Sequence, residues 1–224
     1  MNKYIAGIAL VTLPFFSNAE TTIVSEILVG TTHNNLTTSS HIRGENNKFS
    51  NSENSESYGI RLGVKFTDNI SIELSRNVHG SVESNFTYTY YTQSPGIPGG
   101  GTIPSETQAI TADHSFDIES TKLGFKLEYN LWSDLFINTR IGIAYWEYDD
   151  STPHYSHDDG DTGNDVYYSV GADYHITENI YVGLEYSFFE ATDNWDDTSG
   201  DNLGSFGKFS HEVEDLSLIA GWNF

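Results

Sequence analysis

The nine residues that close the chain, Leu216-Ser217-Leu218-Ile219-Ala220-Gly221-Trp222-Asn223-Phe224, decide the fold. Leu216, Leu218, Ala220, Trp222 and Phe224 share one parity, and Ser217, Gly221 and Asn223 share the other, with Ile219 out of pattern. Successive side chains of a strand point to opposite faces. One face of this strand is therefore apolar and aromatic, and the other is small and polar. Such a strand suits a wall between lipid and a polar lumen.

The other end of the chain agrees. Met1-Asn2-Lys3 is a short basic start, Tyr4 to Phe16 is apolar, and Ser17-Asn18-Ala19 is a small-x-small cleavage motif. The pattern predicts a secretory signal peptide over 1–19, cleaved after Ala19. The apolar stretch is shorter than the roughly 20 residues a spanning helix needs, and no later run is apolar enough for one. An exported chain without spanning helices that ends in such a strand points to the bacterial outer membrane. Residues 20–224 are expected to form one barrel domain.

Composition fits that class. The chain has 20 Gly, 14 Tyr and 13 Phe, and no Cys, so no disulfide frame supports it. The mean hydropathy of −0.41 is low for a helical membrane protein, but it is expected where alternate residues face a polar lumen. A net charge of −22 excludes the basic footprint that nucleic-acid binding requires.

The period-two pattern recurs, which predicts eight strands. The clearest places Tyr58, Ile60, Leu62, Val64 and Phe66 outward against Gly59, Arg61, Gly63 and Lys65 inward. Strand one, about Thr21 to Thr32, is blurred by apolar residues of both parities. Thr67-Asp68-Asn69, Asn130 to Asp134 and Thr177-Glu178-Asn179 are short joins; those near 33–55, 83–115, 147–164 and 191–208 are long and polar. The expected fold is an eight-stranded antiparallel up-and-down transmembrane β-barrel, with short periplasmic turns, long extracellular loops and both termini periplasmic. The segments Phe66–Leu74 and Ile176–Leu184 read as one repeated hairpin unit.

At this point the chain resembles the transmembrane domain of the outer membrane protein A family. Leu131-Trp132-Ser133-Asp134-Leu135-Phe136-Ile137-Asn138-Thr139-Arg140-Ile141-Gly142 is similar to that family's fifth strand. Val170–Thr177, Leu184-Glu185-Tyr186 and the final strand are similar to its sixth, seventh and eighth. Trp222 and Phe224 resemble the signal by which such barrels are recognised, which implies the barrel-assembly machinery as a partner during biogenesis. The resemblance also implies a monomer among outer-membrane lipid and lipopolysaccharide. The family's best-known members carry a periplasmic peptidoglycan-binding domain, a role that is not carried over here.

The inward set contains Arg61, Lys65, Glu73, Lys126, Glu128, Arg140, Asp173 and Glu185. Enclosed charges are costly unless paired, and an eight-stranded interior is just wide enough for side chains to fill. These groups are expected to interlock as salt bridges. In the resembled family such a cluster blocks the interior and rearranges to pass ions, and Glu73, Lys126, Arg140 and Asp173 resemble its charged positions. A family arginine on strand seven is replaced by Gly183, and Arg61 is the candidate to supply that charge. A structural filling role is favoured over gating.

The loops are acidic. Asp159, Asp161 and Asp165 are hard-oxygen ligands of the type Ca²⁺ takes, and His154 and His157 lie nearby. The spacing is not an EF-hand, and a solvated acidic surface is the favoured alternative. No other cofactor is implied. Phe86, Tyr88 and Tyr90 alternate with Thr87 and Thr89, which predicts a hairpin extending beyond the membrane. His79 with Ser75 or Ser81, and His211 with Ser210 and Glu212, supply hydrolase residue types. No G-x-S-x-G motif accompanies them, so the chain is not expected to be an enzyme. The expected function is envelope structure with weak porin-like passage, and the alternative is a surface adhesin or receptor acting through its loops.

Overall fold

The eight stretches become strands because their alternation lets one face meet lipid while the other fills a narrow lumen. A computed structural model describes residues 22–42, 45–92, 106–150, 162–197 and 205–224. The strands are β1 (Thr22–Ile42), β2 (Glu45–Thr67), β3 (Ile70–Thr92), β4 (Glu106–Trp132), β5 (Leu135–Asp150), β6 (Thr162–His175), β7 (Ile180–Asp197) and β8 (Ser205–Asn223). Neighbours in sequence pair antiparallel, and β8 pairs with β1 to close the barrel. The eight-stranded fold is the one expected, and no helix occurs among the described residues.

The outer wall carries a continuous apolar belt. Ile60, Leu62, Leu123, Ile141, Val170 and Leu218 are among its exposed residues, with Leu218 at 68%. Water-soluble monomers rarely expose such an area; a membrane barrel requires it. Trp132, Ile176, Trp222 and Phe224 mark the short-turn end of the belt, and Tyr145, Tyr168 and Tyr186 mark the other end.

Two of the short turns share one device. The Thr67 hydroxyl accepts from the N–H groups of Asn69 (3.3 Å) and Ile70 (3.1 Å), and Thr177 does the same for Asn179 (3.2 Å) and Ile180 (3.0 Å). A hydroxyl that substitutes for a backbone acceptor fixes a tight turn. This is the physical content of the repeat between the two segments.

The long joins depart from expectation. Most of what the sequence suggests as loop is strand: β1 and β2 stay paired to Ile42↔Glu45, β3 and β4 to Thr92↔Glu106, and β7 and β8 to Asp197↔Ser205. Outside lipid these strands have no apolar face to keep, so Asn, Ser and Thr replace the alternation. The extended hairpin expected for Phe86 to Tyr90 does form. The signal peptide, His154, His157, Asp159 and Asp161 lie outside the described residues.

The ring is not closed along its whole height. β2 and β3 pair only from Tyr58↔Val78 towards the short turns, and β6 and β7 only from Tyr167↔Phe189. A bulge between Val78 and Ser81 marks the first departure. Gly80 there has φ +74°, and a Cβ on it would lie 2.5 Å from the Ser55 Cβ. Left-handed backbone at a bulge is a position glycine takes without strain.

Two apolar clusters share the interior with a charged layer. Val24, Leu28, Tyr181 and Ile219 form one, which explains both the misfit Ile219 and the blurred alternation of β1. Ile118, Trp146, Tyr148, Tyr167, Phe189 and Val213 belong to the other, towards the end with the long hairpins.

Candidate functional site: the charged layer in the lumen

The structure brings all eight inward charges of the sequence pattern into one connected network and adds a ninth, Glu26 of β1. Arg140 is its hub. Its Nε donates to Glu73 Oε2 (2.7 Å), its Nη1 lies 2.7 Å from Glu185 Oε2, and its Nη2 donates to Glu26 Oε1 (3.2 Å). Arg61 forks onto Glu185 with bonds of 3.0 and 2.8 Å and also pairs with Glu26. Lys126 lies 2.8 Å from both Asp173 and Glu128, and Lys65 reaches Glu128 at 2.9 Å. Apart from Lys65, which is part-exposed, these groups are buried. Buried charge is tolerated in such a layer because each carboxylate meets more than one cationic donor or a neutral one.

Neutral groups complete the layer. Asn138 donates to Asp173 (2.7 Å) and accepts from Arg140 (2.7 Å), and the Tyr181 hydroxyl donates to Glu26 (2.5 Å). Glycines make the room: a Cβ at Gly183 would lie 2.3 Å from Asp173 Oδ1, and one at Gly221 would fall within the Tyr181 ring. Gly183, where the resembled family has arginine, thus leaves space for Asp173. Arg61 brings cationic charge to the layer from the opposite side, through Glu185 and Glu26.

Glu26 and Tyr181 escape the sequence pattern. Val24, Glu26 and Leu28 share the inward parity, but two of the three are apolar, so β1 looks apolar on both faces. Glu26 is nevertheless the one charged residue between Thr21 and Thr32, and a lone acid in an otherwise uncharged strand is the signal that marks it.

Nearer the long hairpins lies a second polar group. His79 Nε2 is 2.7 Å from the Ser120 hydroxyl and its Nδ1 is 2.8 Å from Asp215 Oδ2. The order serine–histidine–aspartate is that of a hydrolase relay. His79 and Ser120 are nonetheless fully buried, and the Phe189 ring is 5.3 Å from the imidazole. Neither Ser75 nor Ser81 is the hydroxyl bound to His79, and His211 bonds to Tyr148 and Asn34 rather than to Ser210 or Glu212. The serine–histidine pairs suggested by the sequence are therefore not formed.

His211 lies beyond the apolar belt, which ends on β8 at Leu216. Its Nδ1 accepts from the Tyr148 hydroxyl and its Nε2 donates to Asn34 Oδ1 (2.9 Å), which fixes the neutral tautomer. Burial, reinforced by nearby His79, pushes its pKa from 6.5 down to about 3. An unfolded chain takes up this proton below about pH 6.5 while the folded one resists it. The stability tied to neutral His211 is thus complete above about pH 6.5 and is lost as pH falls towards 3. Urea titrations at pH 7.5 and 4.5 are expected to show a smaller acid loss in His211→Gln than in the wild type, by at most about 1.4 kcal/mol per pH unit. Equal losses in the two proteins would refute the assignment.

Among the described residues no cluster of three or more His, Asp or Glu is arranged for a metal. Asp165 acts as a strut, accepting from Trp146 Nε1 (2.8 Å) and from the Thr192 N–H (3.1 Å).

A closed antiparallel barrel with an apolar outer belt and a charge-filled lumen defines a small outer-membrane β-barrel protein. The OmpA-like transmembrane domain model matches residues 21–213, and the chain belongs to that family. The attachment invasion locus protein Ail of Yersinia pestis, solved with the heparin analogue sucrose octasulfate, is 10% identical with a TM-score of 0.40, over 87% of this chain and 98% of that one. Neisserial surface protein A is 11% identical with a TM-score of 0.45, over 91% and 97%. The outer membrane protease OmpT of Escherichia coli is 11% identical with a TM-score of 0.49, also over 91% and 97%. No curated protein sequence matches the chain.

Proposed function

We propose that this outer-membrane barrel is a structural element of the envelope, sealed at rest, with its short turns in the periplasm and its long hairpins outside the cell. The observation that carries this is the paired layer around Arg140 and Arg61, with apolar clusters packed in the same interior. Porin-like passage requires these cations to exchange partners, because their buried, paired side chains occupy that level of the lumen. The buried Ser120–His79 pair supports a non-enzymatic role, since a substrate has no access to it. Lipid and lipopolysaccharide are the expected neighbours, the assembly machinery the expected partner of β8, and a monomer the expected state. Acidic loops that recruit Ca²⁺ belong to the same proposal.

A second reading, surface binding, is favoured by the strands that continue beyond the belt. It is compatible with the first, because a sealed barrel is a rigid base for display. Planar-bilayer recordings on refolded protein are expected to stay silent once insertion is demonstrated. Discrete steps that change in size or frequency in Asp173→Asn would replace the sealed barrel with a charge-gated pore.

A further inference from the structure

Towards the long-hairpin end the cylinder divides into two half-sheets. The β2–β3 ladder stops at Tyr58↔Val78 and the β6–β7 ladder at Tyr167↔Phe189. Beyond those pairs β7, β8, β1 and β2 stay joined as one four-stranded sheet. Strands β3, β4, β5 and β6 stay joined as the other. Among the described residues no strand ladder links the two at this level, so side chains hold them together.

The apolar cluster near the long hairpins is that junction. Ile118, Trp146 and Tyr148 of one sheet pack with Phe189, Ala191 and Val213 of the other. Polar contacts cross at the same place. His79 Nδ1 of β3 is 2.8 Å from Asp215 Oδ2 of β8, and the Thr192 N–H of β7 donates to Asp165 of β6 (3.1 Å). The Tyr148 hydroxyl of β5 donates to His211 Nδ1 of β8.

His211 is the contact whose chemistry changes with pH. Its neutral ring accepts from Tyr148 and donates to Asn34 of β1. A proton on Nδ1 leaves the ring with two donors and no acceptor, so the bond from Tyr148 is lost as it stands. The charged and titratable groups around it do not answer the new charge. On β3 the nearby group is His79, whose influence opposes protonation, as burial does. Asp215, on the same strand as His211, is engaged by His79, Thr32 and Lys122 of β4. Asp165 of β6 is held by Trp146 and Thr192. On β2, Glu53 stands opposite Asn34 in register, and β7 sets uncharged Ala191 opposite His211. A buried cation without a carboxylate partner is costly, and water relieves that cost only where the sheets part.

We propose that the two half-sheets are jaws clasped at His211, which part at acid pH and expose the apolar junction between them to solvent. The ladders on the short-turn side of Val78 and Phe189, with the charged layer around Arg140, stay closed. The parting is thus independent of whether the lumen conducts. Its sign follows from the proton: the clasp is complete above about pH 6.5, the ordinary histidine value, and weakens as pH falls.

The test measures the distance between the jaws. The chain has no Cys, so spin labels go only to Asn54→Cys on β2 and Asn164→Cys on β6, exposed positions on opposite sheets. Double electron–electron resonance on the barrel in lipid nanodiscs is expected to give one short distance at pH 7.5. A longer component is expected to grow as the pH falls to 4.5. Its ratio to the short one should rise by at most about tenfold per pH unit, the limit for one proton. His211→Gln keeps a neutral donor and acceptor and is expected to hold the short distance throughout. Tyr148→Phe removes the clasping hydroxyl and is expected to part at higher pH than the wild type. Heat-modifiable mobility at each pH distinguishes parting from unfolding.

An unchanged distance in the wild type would overturn the proposal, as would an acid response in His211→Gln equal to the wild type. Should His211→Gln fail to fold, an unshifted profile in Tyr148→Phe would overturn it. Longer distances that appear only with loss of the folded mobility would overturn it too. Bilayer recordings at the same pH values separate the two readings. Conductance steps with a pH-dependent distance defeat the sealed lumen alone, and silence with an unchanged distance defeats the clasp alone.

Discussion

Arg140→Ala is expected to destabilise the barrel by about 3–5 kcal/mol, the range for removing one partner of a buried ionic group. Arg140 is fully buried and contacts Glu73, Glu185 and Glu26 at 2.7, 2.7 and 3.2 Å. Without it, three carboxylates face one another with Arg61 as their nearest guanidinium. Repulsion and lost hydrogen bonds then act together in a region from which water is largely excluded. Arg140→Lys restores charge but not the planar fork, and is expected to fall between wild type and alanine. Urea titration of protein refolded into phospholipid vesicles, followed by tryptophan fluorescence, measures all three. A loss below about 1 kcal/mol for alanine would mean that water enters the layer and screens it, and the account of a dry, paired network would fail.

The second large effect concerns space. Gly142 of β5 is paired with Gly124 of β4, and a Cβ on Gly142 would lie 2.1 Å from the Leu123 carbonyl oxygen and 2.5 Å from the Gly124 Cα. Both obstacles are backbone, so no rotamer change relieves them. Overpacking typically costs 1–3 kcal/mol, and Gly142→Ala is expected at about 3 kcal/mol or above, with reduced refolding yield. Gly63→Ala is the matched control. Its nearest obstacle is the Glu73 Cγ at 3.0 Å, which is part of a flexible side chain, and a loss of about 1 kcal/mol or less is expected. Similar losses at the two positions would show that the barrel wall yields more readily than these distances imply.

How much was legible follows from which solvent each residue meets. Inside the belt the alternation is enforced by lipid on one face and by a tight lumen on the other, so Tyr58 to Phe66 could be assigned residue by residue. The eight inward charges were legible for the same reason. Glu26 was not, because the inner face of β1 packs Val24 and Leu28 against Ile219 and Tyr181, and apolar residues on both faces erase the alternation. The upper halves of β1, β2, β7 and β8 were missed because polar strands in water carry no amphipathic signal. Their pairing is a property of two distant segments together. The His79–Ser120 contact joins positions 41 residues apart, and no local spacing encodes it.

The seam between β1 and β8 joins the two ends of the chain, from Val24↔Asn223 to His41↔Phe206, so its partners lie roughly 200 residues apart at the short-turn end. Each of the other seams is a local hairpin that forms as soon as its two arms exist. Loop-closure entropy grows with the length of chain enclosed, and folding slows as contacts become less local. The first and last strands are thus natural candidates to meet last. Until they meet, Arg61 has its hairpin neighbour Glu26 but not Glu185 of β7, and Arg140 of β5 lacks Glu26 of β1. The final annealing of the cylinder and the completion of its charge arrangement are one kinetic event, governed by the arrival of the terminal strands at each other.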